Sequence, residues 1–247
     1  MAGGADDLPL LRALELARRA WGDTHPNPMV GAVITERGSI VAEGWHARAG
    51  EAHAEVVALR SLGRPPASDA ILHVTLEPCS THGRTPPCVD AILASGIRQV
   101  VIGTTDPNPL HAGKGVAYLR AAGVEVRLAE GAVELACRRL NPLFNHWIVH
   151  RRPLVTLKVA RDVTGRTTPL PGARYLSGPE SLAEVHRLRR LYPALAVGAG
   201  TVLADNPRLT ARRPEGESCP WRIILDPSGR LHRRFDLAVF SDAHLAR

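Results

Sequence analysis

Three side chains, His53, Cys79 and Cys88, constrain this chain more than any other feature, because they make chemical sense together only if the fold brings them to one point. They stand in the segments His53-Ala54-Glu55, Thr75-Leu76-Glu77-Pro78-Cys79 and Gly83-Arg84-Thr85-Pro86-Pro87-Cys88. One imidazole and two thiolates are a ligand set for Zn²⁺ that leaves the fourth tetrahedral position open to water, as a catalytic zinc requires. An isolated His or Cys would read as an ordinary surface or core residue. The ordered combination of His-x-Glu with Pro-Cys-x₈-Cys is what points to metal.

Glu55 is not needed as a ligand and is therefore available to carry protons. Zinc lowers the pKa of bound water from about 15.7 towards 7. Read from the residues alone, this is a site for hydrolytic deamination of an amidine-like ring carbon bearing an exocyclic amine. Glu55 takes the proton of the water, passes it to a ring nitrogen and helps ammonia leave. One geometric condition follows. Residues two apart on a regular helix point in different directions, so His53 and Glu55 share a site only where a helix begins, or with side chains that reach around.

Whether the thiols are ligands or a disulfide depends on compartment. The first ten residues carry Asp6 and Asp7 and no long apolar core, and no apolar run reaches membrane-spanning length. A cytoplasmic protein with reduced thiols is expected, with Cys79 and Cys88 as metal ligands and Cys137 and Cys219 structural or incidental. The formal net charge of +7 comes almost wholly from arginine, since Lys114 and Lys158 are the only lysines. That preference suits solubility or a GC-rich genome as well as an anionic, phosphorylated partner. Aromatic residues are only 4% and interleave with no basic run, which argues against a nucleic-acid platform.

The pattern along the chain alternates helices and strands. Helical spacing covers 8–21, and Pro26, Asn27 and Pro28 stop it. Strands are expected at 29–34 and 40–43 as a hairpin, then at 70–76, 98–103 and 124–128. Helices are expected at 53–62, 88–94, 115–121 and 131–145, the second opened by Pro86 and Pro87. This is an α/β layered domain over 1–150. After Arg151-Arg152-Pro153 a second α/β unit over 151–247 is expected. It has strands at 154–159, 194–198 and 222–225, a helix at 179–191 and a polar loop at 208–219.

The eight-residue spacer from Ser80 to Pro87 is longer than in the usual zinc-deaminase signature. With Pro26-Asn27-Pro28-Met29-Val30-Gly31, Gly44-Trp45-His46, Gly50-Glu51-Ala52-His53-Ala54-Glu55 and Asp106-Pro107-Asn108-Pro109, it resembles the deaminase domain of the bifunctional riboflavin-biosynthesis deaminase/reductase family. The resemblance covers residues 8–150. It implies a cytidine-deaminase-like three-layer α/β/α fold and loss of the 2-amino group of 2,5-diamino-6-(5-phosphoribosylamino)pyrimidin-4-one. Carried across, it makes His53, Cys79 and Cys88 the zinc ligands and Glu55 the catalytic proton shuttle. Asn27, His46 and Arg84 become substrate contacts. The family's histidine two residues after the first cysteine is Thr81 here, so either His82, which follows, substitutes for it in substrate binding or ribotide binding is altered.

The second half resembles the start of the same family's NADPH-dependent reductase domain, a dihydrofolate-reductase-like α/β fold. The matching stretches are Val155-Thr156-Leu157-Lys158 and Val197 to Thr210. By this resemblance Ala160, Thr201 and Asp205 fall where the family contacts cofactor, and Arg189 and Arg212 where it contacts substrate phosphate. The family's Ser-Leu-Asp-Gly-Arg appears as Asp162-Val163-Thr164-Gly165-Arg166, and Tyr175 stands for a usual Trp. The sequence stops before the family's Glu-Gly-Gly segment. An incomplete reductase domain is therefore expected, with little or no reductase activity from this chain alone and NADPH binding left open.

The leading expectation is a zinc-dependent pyrimidine deaminase acting on a phosphorylated small molecule, with no nucleic acid or membrane partner and homo-oligomerisation left open. The alternatives are a fragment of a full bifunctional enzyme, a deaminase of another nucleobase, and a non-catalytic zinc-stabilised scaffold. An intact Glu55 argues against the scaffold, because a structural site would use a fourth ligand and has no use for a spare carboxylate.

Overall fold

The computed structural model describes residues 7–82, 86–172, 175–213 and 216–244. Two units divide the chain, Met1–Leu154 and Val155–Arg247.

Unit 1 contains helix α1 (Asp7–Arg18), hairpin strands β1 (Gly31–Glu36) and β2 (Ser39–Trp45), α2 (Ala54–Leu62), β3 (Ile71–Val74), α3 (Cys88–Ser95), β4 (Gln99–Ile102), α4 (Lys114–Ala121), β5 (Glu125–Leu128), α5 (Gly131–Arg139) and α6 (Pro142–His150). The strands form one sheet in the order β2-β1-β3-β4-β5. Pairing is antiparallel for β1 with β2 and with β3, and parallel from β3 to β4 to β5. The parallel pairs need crossovers, and α3 and α4 supply them.

Alternation along the strands sorts side chains to two buried faces. Ala32, Ile34, Leu72, Val74, Val100 and Ile102 face a core completed by Ala54 and Ala58 of α2, Val89 and Ile92 of α3, and Val116 and Leu119 of α4. Val33 faces the other way, onto Ala13 and Leu16 of α1. Its cross-strand neighbour is His73, which pairs in turn with Val101. Helices on both faces of a mixed sheet are the expected three-layer arrangement.

Gly44 sets how closely α2 lies on β2. A Cβ there would fall 2.3 Å from the Ala58 nitrogen and 2.4 Å from the Ala54 oxygen. Only a residue without a side chain lets the helix rest on the strand at that distance, and the helix carries His53 and Glu55 at its beginning.

Residues 131–145 are not one helix. The chain breaks at Asn141, and Pro142 opens α6, because proline cannot continue the first helix but suits the first turn of the next. The Asn141 side chain is buried and clamps the backbone of Met29 from both sides. Its Oδ1 accepts the Met29 N–H at 2.7 Å, and its Nδ2 donates to the Met29 carbonyl at 2.9 Å.

Unit 2 contains α7 (Pro179–Leu191), β6 (Ala194–Gly198), α8 (Ala199–Asp205), β7 (Ala211–Arg213), β8 (Gly216–Ser218), β9 (Trp221–Leu225) and α9 (Ala238–Ser241). β6 pairs with β9 in parallel, and β7 with β8 antiparallel. The region 208–219, expected as a loop, thus contributes both strands of a short hairpin. Residues 154–159, expected as a strand, pair with none of the described residues, and Val155 and Leu157 are 88% and 86% exposed. An apolar run reads as a strand by composition, but a ladder needs a hydrogen-bonded neighbour. One face of β6–β9 packs on a core of Ala199, Val202, Leu209, Leu231, Leu237 and Val239. The other face, with Trp221, Ile223 and Leu225, is exposed. Among the described residues, no helix is long and apolar enough to cross a membrane.

Candidate metal centre

The three predicted ligands converge. The donor atoms of His53, Cys79 and Cys88 all lie within 4.8 Å of one another. His53 Nδ1 is 3.1 Å from Cys88 Sγ and 3.6 Å from Cys79 Sγ. Zn–N and Zn–S bonds at tetrahedral angles separate N and S by about 3.6 Å, so the triangle is already near the size a zinc ion demands. Two soft thiols and an imidazole are also the donor set that selects zinc over hard cations. The residues fit the metal.

Each ligand owes its position to a local boundary. His53 is the N-cap of α2, with extended φ −72° and ψ 160°, while Glu55 lies in the first helical turn. The geometric condition on this pair is therefore met at a helix beginning. Cys79 follows β3 across Glu77 and Pro78. Cys88 opens α3 behind the N-cap Pro87, and its backbone N–H donates to Cys79 Sγ at 3.3 Å.

The two thiols are pushed in opposite directions. The Cys88 thiol donates to Cys79 and, with His53 and the Cys88 N–H, holds the Cys79 thiol far below its ordinary range. The same bond, burial and the nearby Glu55 carboxyl push Cys88 up. The hydrogen bond to Cys79 in turn raises the His53 imidazole. Two thiols and an imidazole sharing protons at this spacing are a cluster that a dication would reorganise by displacing them.

Glu55 is 3% exposed. Burial holds its carboxyl above the ordinary range and the charge at Cys79 adds to that, while a backbone hydrogen bond, His53 and Cys88 work against it. A carboxyl lifted in this way is suited to receive and return a proton.

Asn27 and His46 lie beside the triad. The His46 ring meets the His53 ring edge to face at 5.3 Å. Its Nδ1 is 3.1 Å from the Ala52 carbonyl and its Nε2 is 3.2 Å from Asn27 Nδ2. The Nδ1–H must donate to the carbonyl, so Nε2 accepts from the Asn27 amide. Burial lowers the His46 pKa and favours this neutral form. His46 is only 2% exposed, so the structure places it behind Asn27 as its support.

The remaining predicted contacts divide. His82 is exposed on the spacer, and Arg84 lies outside the described residues. In unit 2, Arg189 and Arg212 come together around His186. Arg189 donates to the Thr210 carbonyl at 3.0 Å, and the Arg212 backbone N–H donates to His186 Nδ1 at 3.1 Å. Burial and then Arg212 lower the Arg189 guanidinium. Thr201 and Asp205 are exposed one turn apart on α8, but among the described residues no hydrogen bond or ion pair links either to Ala160.

Known proteins match both units. Residues 6–104 match the cytidine and deoxycytidylate deaminase zinc-binding region, and residues 153–246 match the RibD C-terminal domain. A solved deaminase/reductase from Thermotoga maritima is 41% identical, with a TM-score of 0.83 over 96% of this chain and 67% of its own. The chain belongs to the RibD family. The RibD of Acinetobacter baumannii aligns with a TM-score of 0.82 at 38% identity, over 94% of this chain and 67% of that one. The riboflavin biosynthesis protein RibD of Aquifex aeolicus is 50% identical over 216 residues, covering 87% of this chain. The Escherichia coli RibD is 41% identical over 239 residues, covering 92%. The chain spans 60% of the length of the Aquifex RibD and 64% of the E. coli protein.

Two residues that shape this RibD-family site were not singled out from sequence. Asn141 holds Met29, two residues from Asn27. Glu77 was noted only as part of the segment that delivers Cys79. An Asn before a Pro between two helical patterns is the one local sign of the first.

Proposed function

We propose that this chain hydrolytically deaminates 2,5-diamino-6-(5-phosphoribosylamino)pyrimidin-4-one to 5-amino-6-(5-phosphoribosylamino)uracil and ammonia. Residues 1–150 would act as the deaminase, and 151–247 as part of a reductase domain. The observation that carries this reading is the three-donor triangle with a buried fourth group, Glu55, that is not required as a ligand. Its place in a RibD-family chain supports the substrate.

His53, Cys79 and Cys88 would hold zinc, which when bound supplies Lewis-acid activation of water. Glu55 accepts one proton from the attacking water and delivers it to the ring nitrogen next to C2. A C–O bond forms at C2, and Glu55 then carries the remaining hydroxyl proton to the departing amine. The C2–NH₂ bond breaks, ammonia leaves, and the oxygen stays as the uracil carbonyl. His46, neutral and held by Ala52, orients Asn27 towards the substrate. The test is ammonia release from the ribotide by zinc-loaded protein. Inactivity of protein that holds stoichiometric zinc overturns the reading.

The match of 153–246 to the RibD C-terminal domain favours a second reading, that the chain contributes to NADPH-dependent reduction. The Arg189–Arg212 pair supplies the positive charge a phosphorylated ligand requires. Calorimetric titration with NADPH decides it, since an absence of heat at millimolar cofactor sinks this reading and leaves the deaminase untouched.

A further inference from the structure

Glu77 is 6% exposed, two residues before Cys79. Its carboxylate accepts four backbone N–H groups from one distant segment. Asp106 and Gly113 donate to Oε2, both at 3.0 Å, and Gly115 and Val116 donate to Oε1 at 2.8 and 3.2 Å. The Glu77 backbone N–H donates to the Thr104 carbonyl at 2.9 Å. Both ends of the stretch 106–113 are thus tied to a single side chain.

Helix α4 follows that stretch directly. Its N-cap is Gly113, in the left-handed region at φ 76°, with no side chain to offer the helix. The first N–H groups of any helix lack intrahelical partners, and here Glu77 caps them from elsewhere in the chain. Gly115 is the point of closest approach. A Cβ there would lie 2.2 Å from the Pro78 oxygen and 3.2 Å from Glu77 Oε1.

Between its anchored ends the loop is braced by itself. Asp106 Oδ1 accepts the Asn108 N–H at 2.8 Å, and Asn108 Oδ1 accepts the Leu110 N–H at 3.1 Å. The Asn108 carbonyl accepts from His111 and Ala112. The loop leads into the metal-ligand segment, since Gly115 just beyond it approaches the carbonyl of Pro78, the residue before Cys79.

We propose that Glu77 is a positioning residue that holds the 106–113 loop as a fixed wall beside the His53–Cys79–Cys88 triad. The loop's polar groups then meet the substrate without first being ordered. The kinetic half of this inference rests on the deaminase reading, and the structural half stands without it. A carboxylate suits the task because it only accepts. An amide of the same shape has one oxygen for two of the donors and turns its own N–H groups against the other two.

Glu77→Gln in the full zinc-loaded chain is the test. The expected result is a KM for the ribotide raised about tenfold or more, with kcat changed by less, as for loss of a contact made in ground and transition states alike. Zinc stoichiometry and the thiolate bands of the cobalt-substituted protein should stay as in wild type. Amide exchange should quicken at Asp106, Gly113, Gly115 and Val116 and nowhere else in unit 1. A purely structural Glu77 would instead lower the active fraction, reducing apparent kcat at constant KM with exchange rising throughout, and that result overturns the proposal. So does an unchanged KM with unchanged exchange.

If Glu77→Gln does not fold, exchange in the wild-type protein still decides. Rapid exchange at Asp106 and Gly113 there refutes the clamp. A wild type that releases no ammonia defeats the deaminase reading, while the exchange and cobalt measurements still judge Glu77.

Discussion

His53 stands just outside helix α2 and Glu55 just inside it, so two side chains only two residues apart reach one site. Had both been helical, their side chains would diverge by about 200° around the axis. Glu55→Gln keeps the shape and removes the exchangeable proton. Ammonia release should fall by about 10²- to 10⁴-fold while bound zinc stays stoichiometric. Loss of zinc together with activity would show that Glu55 serves the metal rather than the proton.

Metal and fold should be linked through the triad. A ligand that binds only the native state stabilises it in proportion to the logarithm of its concentration. Chelation should therefore abolish ammonia release and lower the melting temperature of the unit-1 transition. Cys88→Ser should melt at nearly the same temperature with or without zinc. A variant that still gains as much from zinc as the wild type would remove Cys88 from the ligand set.

Asn141 makes two buried hydrogen bonds to Met29 alone. Asn141→Ala strands a backbone donor and an acceptor, at a cost of about 2–4 kcal/mol for the two. Chemical denaturation of the wild type and variant reads this directly. A loss under about 0.5 kcal/mol, the range of ordinary surface substitutions, would mean that water replaces the amide fully.

Gly44→Ala drives a methyl group into the backbone of α2, which cannot yield as a side chain would. Destabilisation of about 1–3 kcal/mol is expected from such overpacking. Because α2 begins at the metal centre, zinc affinity should drop as well. Competition with a chromophoric chelator measures it, and an unchanged affinity would show that His53 is placed independently of the α2–β2 contact.

In unit 2, Arg222 and Asp242 form a two-pronged ion pair at 2.6 and 3.0 Å. The hydrogen bond from Arg222 holds the Asp242 carboxyl below its ordinary range. A carboxyl depressed in the folded state adds stability that is present above its unfolded pKa, about 3.9, and is lost as pH falls through the folded value. Asp242→Ala should therefore be least stable relative to wild type near neutrality, with the gap closing below about pH 4. Thermal melts across pH 3–7 would expose the opposite trend if the pair is inert.

Much of the metal centre was legible because its information is local. A His-x-Glu, a Glu-Pro-Cys and a Pro-Pro-Cys each carry ligand chemistry and a chain boundary within a few residues. The strands of unit 1 were legible for a similar reason, since runs such as Val33–Ile34 and Val100–Ile102 are apolar on both faces of a covered sheet. What escaped depends on distant partners. The helical periodicity of 131–145 concealed the break at Asn141, whose role is set by Met29. The run Val155 to Val159 has strand composition, but pairing is decided by a neighbour that its own residues do not encode. Glu77 looked like part of a ligand segment because its four donors lie near residue 110.

The clamp of Asn141 on Met29 spans 112 positions of sequence. During synthesis the chain emerges from its N-terminus, and contacts of long sequence separation close late. His53, Cys79 and Cys88 all leave the ribosome well before Asn141 does. The Met29 backbone, two residues from Asn27, therefore waits for this anchor until Asn141 has been made, and a chain that ends short of Asn141 lacks both bonds.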